Sequence, residues 1–181
     1  MPDYRRNRVP GGTYFFTVNL RDRASNLLTT HIAELREALR ATRARAPFHV
    51  DAWVVLPDHM HAIWTRPEGD VDYPGRWREL KKSLSRAIPP QPIPSSLHLR
   101  PRDYGIWQRR YWEHTIRDDR DYAAHMDYVH FNPVKHGHVP HPADWPYSTF
   151  KHAVAAGLYP LDWANPTTEP GNTGEAASPP T

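Results

Sequence analysis

The run Asp51 to Trp64, DAWVVLPDHMHAIW, constrains the fold more than any other stretch of this chain. Two segments rich in β-branched and aromatic residues flank Pro57-Asp58, a pair suited to a tight turn. The pattern predicts a hairpin with strands over 48–56 and 59–65. His59 and His61 bracket Met60 near the start of the second arm. Alternate strand side chains share a face, so the two imidazoles lie on one side, their Cα atoms roughly 7 Å apart at the usual strand rise. Met60 then turns to the other side, into apolar packing. Two imidazoles so placed can converge on one divalent metal. The chain carries 12 histidines, so the triplet alone does not separate a metal pair from chance.

Other elements follow from periodicity. Thr13 to Leu20 reads as a strand with Tyr14, Phe16, Val18 and Leu20 on its apolar face. Thr30 is placed to cap a helix reaching Ala46, with Ile32, Leu35 and Leu39 inward. Arg76 to Ile88 reads as a helix with Trp77, Leu80 and Leu84 inward and Arg78, Lys81, Lys82 and Arg86 making it basic. Ile106 to Ile116 is the fourth strand, and Asp118 to about Asn132 a helix with a Tyr122, Met126, Val129 stripe. The order is strand, helix, strand, strand, helix, strand, helix. It predicts an α+β fold: an antiparallel sheet of four to five strands, helices mainly on one face, ferredoxin-like in outline. Residues 1–163 form one domain with a compact extension over 138–163. Pro89 to Tyr104 is a Pro-rich loop, and 164–181, which lacks aromatic and large aliphatic residues, is expected to be a disordered tail.

Composition narrows the partners. The formal charge is +3 and the pI about 9.3, with Arg well ahead of Lys. Seven Trp and nine Tyr accompany it, which suits phosphates and stacked bases. With no Cys, disulfides and thiolate metal sites are excluded. The N-terminus has no apolar leader and no stretch reaches a membrane-spanning length, so no membrane association and a cytoplasmic setting are expected. Arg5, Arg6 and Arg8 are either a phosphate-contacting arm or a solvated terminus.

Tyr128 lies off the 122–126–129 stripe, and Asn132, one turn on, shares its helix face. Pro133 follows, and a residue before proline is pushed from α geometry, so the helix is expected to end or kink there. A tyrosine in this position can simply pack. Together with the imidazole pair, Tyr128 and Asn132 supply a nucleophile and an oxygen ligand. His125, His130 and His136, on the same helix, read as bystanders or DNA contacts.

Five segments resemble the REP-associated tyrosine transposases, bacterial relatives of the single-tyrosine HUH transposases. They are YRRNRVPGGTYFFTVNL (Tyr4 to Leu20), the Asp51 to Trp64 run, WQRRYWEHTIR (Trp107 to Arg117), DYVHFNPVKHG (Asp127 to Gly137) and DWPYSTF (Asp144 to Phe150). The similarity covers residues 4–163, with a longer Pro-rich stretch at 89–104 than the family pattern has. It implies an RRM-like HUH nuclease fold with His59 and His61 as metal ligands, Asn132 as third ligand and Tyr128 as nucleophile. It also implies cleavage and rejoining of single-stranded DNA near REP hairpins preceded by a short tetranucleotide. The protein so implied is a monomer, with a dimer left open.

The chemistry fits those residues. A metal on a non-bridging oxygen offsets the charge that makes a phosphodiester a poor electrophile. A free phenol titrates at roughly 10, so a nearby cation favours phenolate. A 5′-phosphotyrosine link conserves the bond energy for rejoining. Imidazoles with an amide oxygen suit Mn²⁺ and accept Mg²⁺. Arg5, Arg6 and Arg8, with Arg78, Lys81 and Lys82, are candidates to hold the DNA backbone, and the 138–163 extension is a candidate to read the hairpin. A hairpin-binding protein with little turnover and a water-activating hydrolase remain as alternatives.

Overall fold

Strand alternation sorts the hairpin side chains onto two faces, and each face acquires its own helices. The computed structural model describes residues 9–93 and 103–164. Strands β1 (Thr13–Asn19), β2 (His49–Val55), β3 (His59–Thr65) and β4 (Trp112–Thr115) form one antiparallel sheet in the order β2-β3-β1-β4. This is the ferredoxin-like order expected from two interleaved β-α-β units.

On one face, Tyr14, Phe16, Val18, Met60, Ala62 and Trp64 pack against Leu35 of α2 (Ile32–Arg45) and Trp77, Leu80 and Leu84 of α3 (Tyr73–Ala87). Trp64 stacks on Trp77 with centroids 4.0 Å apart and planes 15° from parallel. Leu27 and Leu28 of the short α1 (Leu27–Thr30) join the same core. On the other face, Phe15, Ala52, Val54 and Ile63 meet Met126 and Val129 of α4 (Asp119–Lys135). Three of the four helices between the first strand and the C-terminal extension thus share a face, and α4 covers the reverse side. A bulge at Asp51 shifts the β2–β3 register between Val50 and Ala52. Its carboxylate accepts from Thr65 at 2.8 Å and from the Tyr122 hydroxyl at 3.1 Å, tying α4 to the sheet.

Four boundaries differ from expectation. α3 begins at Tyr73, three residues before Arg76, because the Asp72 carboxylate caps it by accepting from Gly75 N–H at 2.8 Å. Thr30 does not cap α2; it ends α1, whose two leucines are buried, and His31 separates the two helices. The fourth strand is only Trp112–Thr115, because Trp107 makes an isolated bridge to Leu20 and the chain between them carries exposed Arg109 and Arg110. Most consequentially, α4 does not stop at Asn132 but runs through Pro133 to Lys135. Proline there removes one backbone donor near the helix end, while the His136 N–H still reaches the Asn132 carbonyl at 3.0 Å and the His138 N–H the Pro133 carbonyl at 2.9 Å. Pro133 is itself buried, so packing offsets the local preference.

The C-terminal extension protects the sheet edge. Val55 N–H donates to the Tyr147 carbonyl and Thr149 N–H to the Trp53 carbonyl, both at 2.8 Å. An unpaired edge invites association with other chains, and residues 147–149 occupy that of β2. Trp145 Nε1 adds a bond to the Val55 carbonyl at 3.0 Å. Beyond lies α5 (Phe150–Ala155). Arg5, Arg6, Arg8, most of the Pro-rich loop and residues 165–181 of the expected tail lie outside the described residues. Among the described residues no helix is long and apolar enough to cross a membrane.

Candidate active site

β3 presents His59 and His61 to the α4 side, as strand alternation requires, while Met60 is fully buried in the opposite core. Both imidazoles are nearly fully buried, with ring centroids 5.1 Å apart. Each is oriented through Nδ1. His59 Nδ1 lies 2.7 Å from Asp58 Oδ1, and His61 Nδ1 lies 2.9 Å from Thr17 Oγ1 on β1. Burial alone would raise the Asp58 carboxyl, but the hydrogen bond from His59 and the charges of His59 and Arg23 hold it below its usual value. Asp58 is therefore an acceptor, and His59 Nδ1 carries the proton. His61 Nε2 is buried without a hydrogen-bond partner among the described residues. Burial, then the proximity of His59 and His136, pushes the His61 imidazole well below its ordinary value. It is neutral at pH 7, the form that binds a metal.

α4 supplies the rest. Asp121, His125, Tyr128, Asn132 and His136 recur at spacings of four, three, four and four, a single stripe facing the sheet. Tyr128 is not free of the packing, as its position off the apolar stripe suggested. Its ring meets His61 at 5.1 Å and Phe15 edge-on at 5.6 Å, and Phe15 in turn stacks on His61 at 5.6 Å. The Lys135 ammonium lies 5.0 Å from the centre of the Tyr128 ring. Asn132 is fully buried, and both atoms of its amide lack a partner among the described residues. A buried amide with neither atom satisfied is costly, so a site that gives it a ligand would relieve the cost. His136, read from sequence as a bystander or DNA contact, sits with its ring 5.1 Å from His59. Its signal was the i+4 spacing from Asn132.

No family model matches the chain. It is 51% identical over 169 residues to the REP-associated tyrosine transposase of Escherichia coli K12, spanning 93% of this chain and 94% of that protein. A Haemophilus influenzae relative of the same family name is 46% identical over 164 residues, 90% of this chain and 93% of its own. The chain belongs to the REP-associated tyrosine transposases. A solved REP-associated tyrosine transposase bound to a REP hairpin superposes with a TM-score of 0.81 at 49% identity, covering 98% of this chain and all of that one.

Within this transposase fold the expected basic residues of α3 do not join the imidazoles. α3 packs on the opposite face of the sheet. Lys81 is held by the Gln108 carbonyl at 3.3 Å and lies 5.3 Å from both the Trp107 and Tyr111 rings, and Lys82 pairs with Glu79. Arg78 is exposed on the same helix. A second donor cluster was also missed in the sequence: ligand atoms of His114, Asp121 and His125 lie within 4.8 Å of one another. Here the carboxylate is already engaged, by His114 Nε2 at 2.8 Å, His125 Nδ1 at 3.0 Å and the Arg117 N–H at 3.0 Å. His125 Nδ1 also reaches the Asp121 carbonyl at 2.8 Å, which makes that nitrogen a donor. A cation would enter this cluster only by displacing those bonds.

Proposed function

We propose that this chain is a DNA nicking and joining enzyme that forms a 5′-phosphotyrosine link through Tyr128 on single-stranded DNA near a REP-type hairpin. The observation that carries it is the Tyr128 ring at 5.1 Å from His61, whose buried Nε2 has no partner among the described residues. The donor set of His59, His61 and Asn132 fits a divalent ion such as Mn²⁺ or Mg²⁺: two imidazoles oriented through Nδ1 and an amide with unsatisfied atoms. His136 stands beside this set as a fourth candidate. When bound, such an ion would offset the charge on a non-bridging phosphate oxygen.

The chain's own residues do the remainder. Phe15 buttresses the Tyr128 ring, fixing the angle at which its hydroxyl meets a phosphate. Lys135 places a positive charge beside that ring, where phosphate and phenolate both develop negative charge. Attack by Tyr128 Oη on phosphorus forms the tyrosyl ester and releases a 3′-OH. Return of a 3′-OH breaks that ester and rejoins the strand. One α4 carries nucleophile and amide ligand against its own sheet, which supports a monomer as the working unit. Residues 1–163 act as one catalytic domain with 138–163 as its DNA-reading extension. REP-hairpin binding by a relative of 49% identity supports the choice of DNA.

The test incubates a labelled, hairpin-bearing single strand with Mn²⁺ and wild type, Tyr128→Phe or His61→Ala. Wild type is expected to yield a covalent protein–DNA adduct that both variants lose while still binding. Adduct-free cleavage by Tyr128→Phe would instead establish a hydrolase. Binding by wild type without any cleavage would establish a hairpin-binding protein.

A further inference from the structure

We propose that Trp112 is the floor of a subsite that takes one unpaired nucleobase of the DNA strand engaged at Tyr128; the proposal rests on the single-strand reading above. The strand pairing places it. Thr17 on β1 lies opposite His61 on one side and opposite Trp112 on the other. Residues directly across neighbouring strands share a face, so His61, Thr17 and Trp112 form one row on the α4 side. At about 4.8 Å per strand, Trp112 stands about 10 Å from His61. That is a nucleotide-scale step from the site.

Trp112 is held rigidly yet left open. Two aromatic residues stand among the exposed large hydrophobics of the described chain, Tyr104 and Trp112. The Tyr104 hydroxyl accepts from Arg86, on the helix of the opposite face. Trp112 is 37% exposed on the edge strand, on the imidazole side. Its ring is nearly parallel to His114, at 5.8 Å and 7°, and His114 stacks on His125 at 4.6 Å. Both imidazoles bond to Asp121, which locks the column. Phe15 meets Trp112 edge-on at 5.6 Å, and the same Phe15 contacts Tyr128 and His61. A single phenylalanine therefore braces the indole and the catalytic pair together. Exposed Arg109 and Arg110 precede the indole in the chain and exposed Arg117 follows it. Guanidinium groups that flank an open aromatic ring along the chain match a nucleotide's phosphate and base. A ring stacks on any base, so this subsite fixes the strand's position and leaves sequence reading to other contacts.

The experiment uses hairpin-bearing single strands with 2-aminopurine at successive positions around the cleavage point, bound to the full chain carrying Tyr128→Phe so that chemistry does not intervene. One position should be quenched on binding, and adding Trp112→Ala should remove that quenching while Trp112→Phe keeps most of it. Trp112→Ala should weaken binding about 5- to 150-fold, the range for loss of one base–aromatic stack. An abasic site at the quenched position should weaken the Trp112 protein by the same factor and the Trp112→Ala protein hardly at all. Equal binding and equal quenching with and without the indole would overturn the proposal, as would an abasic penalty that persists in Trp112→Ala. Absence of a Tyr128-dependent adduct with wild type would overturn the catalytic reading instead, and the binding data would still decide the subsite.

Discussion

Asp58 and Thr17 each fix the rotation of one imidazole, and Asp58, an acceptor, also sets which nitrogen of His59 faces it as N–H. Asp58 accepts the hydrogen bond from His59 Nδ1–H and is itself braced by Arg23 at 2.9 Å, while Thr17 faces His61 Nδ1. Partners of this kind are worth about 10- to 100-fold in metal affinity. Asp58→Asn and Thr17→Val should each weaken Mn²⁺ binding by that order, read by calorimetry, with the far-ultraviolet dichroism unchanged. Affinity equal to wild type in both would show that packing alone orients the rings. The His59–His61 pairing was legible because a strand repeats every two residues. The role of Asp58 was not. In sequence it is a turn residue; the hairpin brings it beside His59, and Arg23 reaches it from the loop after β1.

At the scale of the element, α4 and the 147–149 segment decide what the sheet can do. The α4 stripe from Asp121 to His136 lays a hydrogen-bonded clamp, the Tyr128 phenol, a buried amide and a third imidazole along one face. Local propensity placed the helix end at Asn132. Tertiary packing of Pro133 carries it one turn further and brings His136 to His59. The 147–149 segment has a comparable hidden role. The Thr149 hydroxyl accepts from Trp53 N–H at 2.9 Å, and His130 Nε2 lies 3.3 Å from it. Thr149→Val keeps the shape but leaves the Trp53 donor without that acceptor. It should cost about 1–3 kcal/mol in urea unfolding. A loss near zero would mean that the backbone bonds alone hold β2 to the extension.

For the whole molecule, buried histidines set the response to acid. Burial pushes His130 down to about 4, and His61, His125 and His136 move the same way, each chiefly through burial. Above roughly 6.5 neither the native nor the unfolded imidazoles carry the proton. As pH falls, the unfolded chain takes it up first, so native stability drops until the native imidazoles also titrate. For His130 alone the full drop is about 3 kcal/mol. Asp58, Asp70 and Asp121 are held below their usual value, so their contribution is present above it and is lost only at lower pH. Urea unfolding at about pH 7.5 and about pH 4.5 should show a loss for wild type that is about 2 kcal/mol smaller in His130→Gln. Equal losses would mean that native His130 takes up its proton in this range.

The sequence by itself determined the hairpin, the common face of His59 and His61, the strand and helix order, and the nucleophile candidate one turn before an amide. These follow from periods of 2 and 3.6, which act over a few neighbours. Only the tertiary structure decided that α3, with Arg78, Lys81 and Lys82, lies behind the sheet from the imidazoles, that His136 joins them, and that Trp112 shares their row. Those outcomes depend on strand pairing between residues far apart in the chain, such as Thr17 with both His61 and Trp112. The succession of elements implies which strands are neighbours, but no local pattern encodes the residue register between them; the packing of two cores on opposite faces of one sheet selects it.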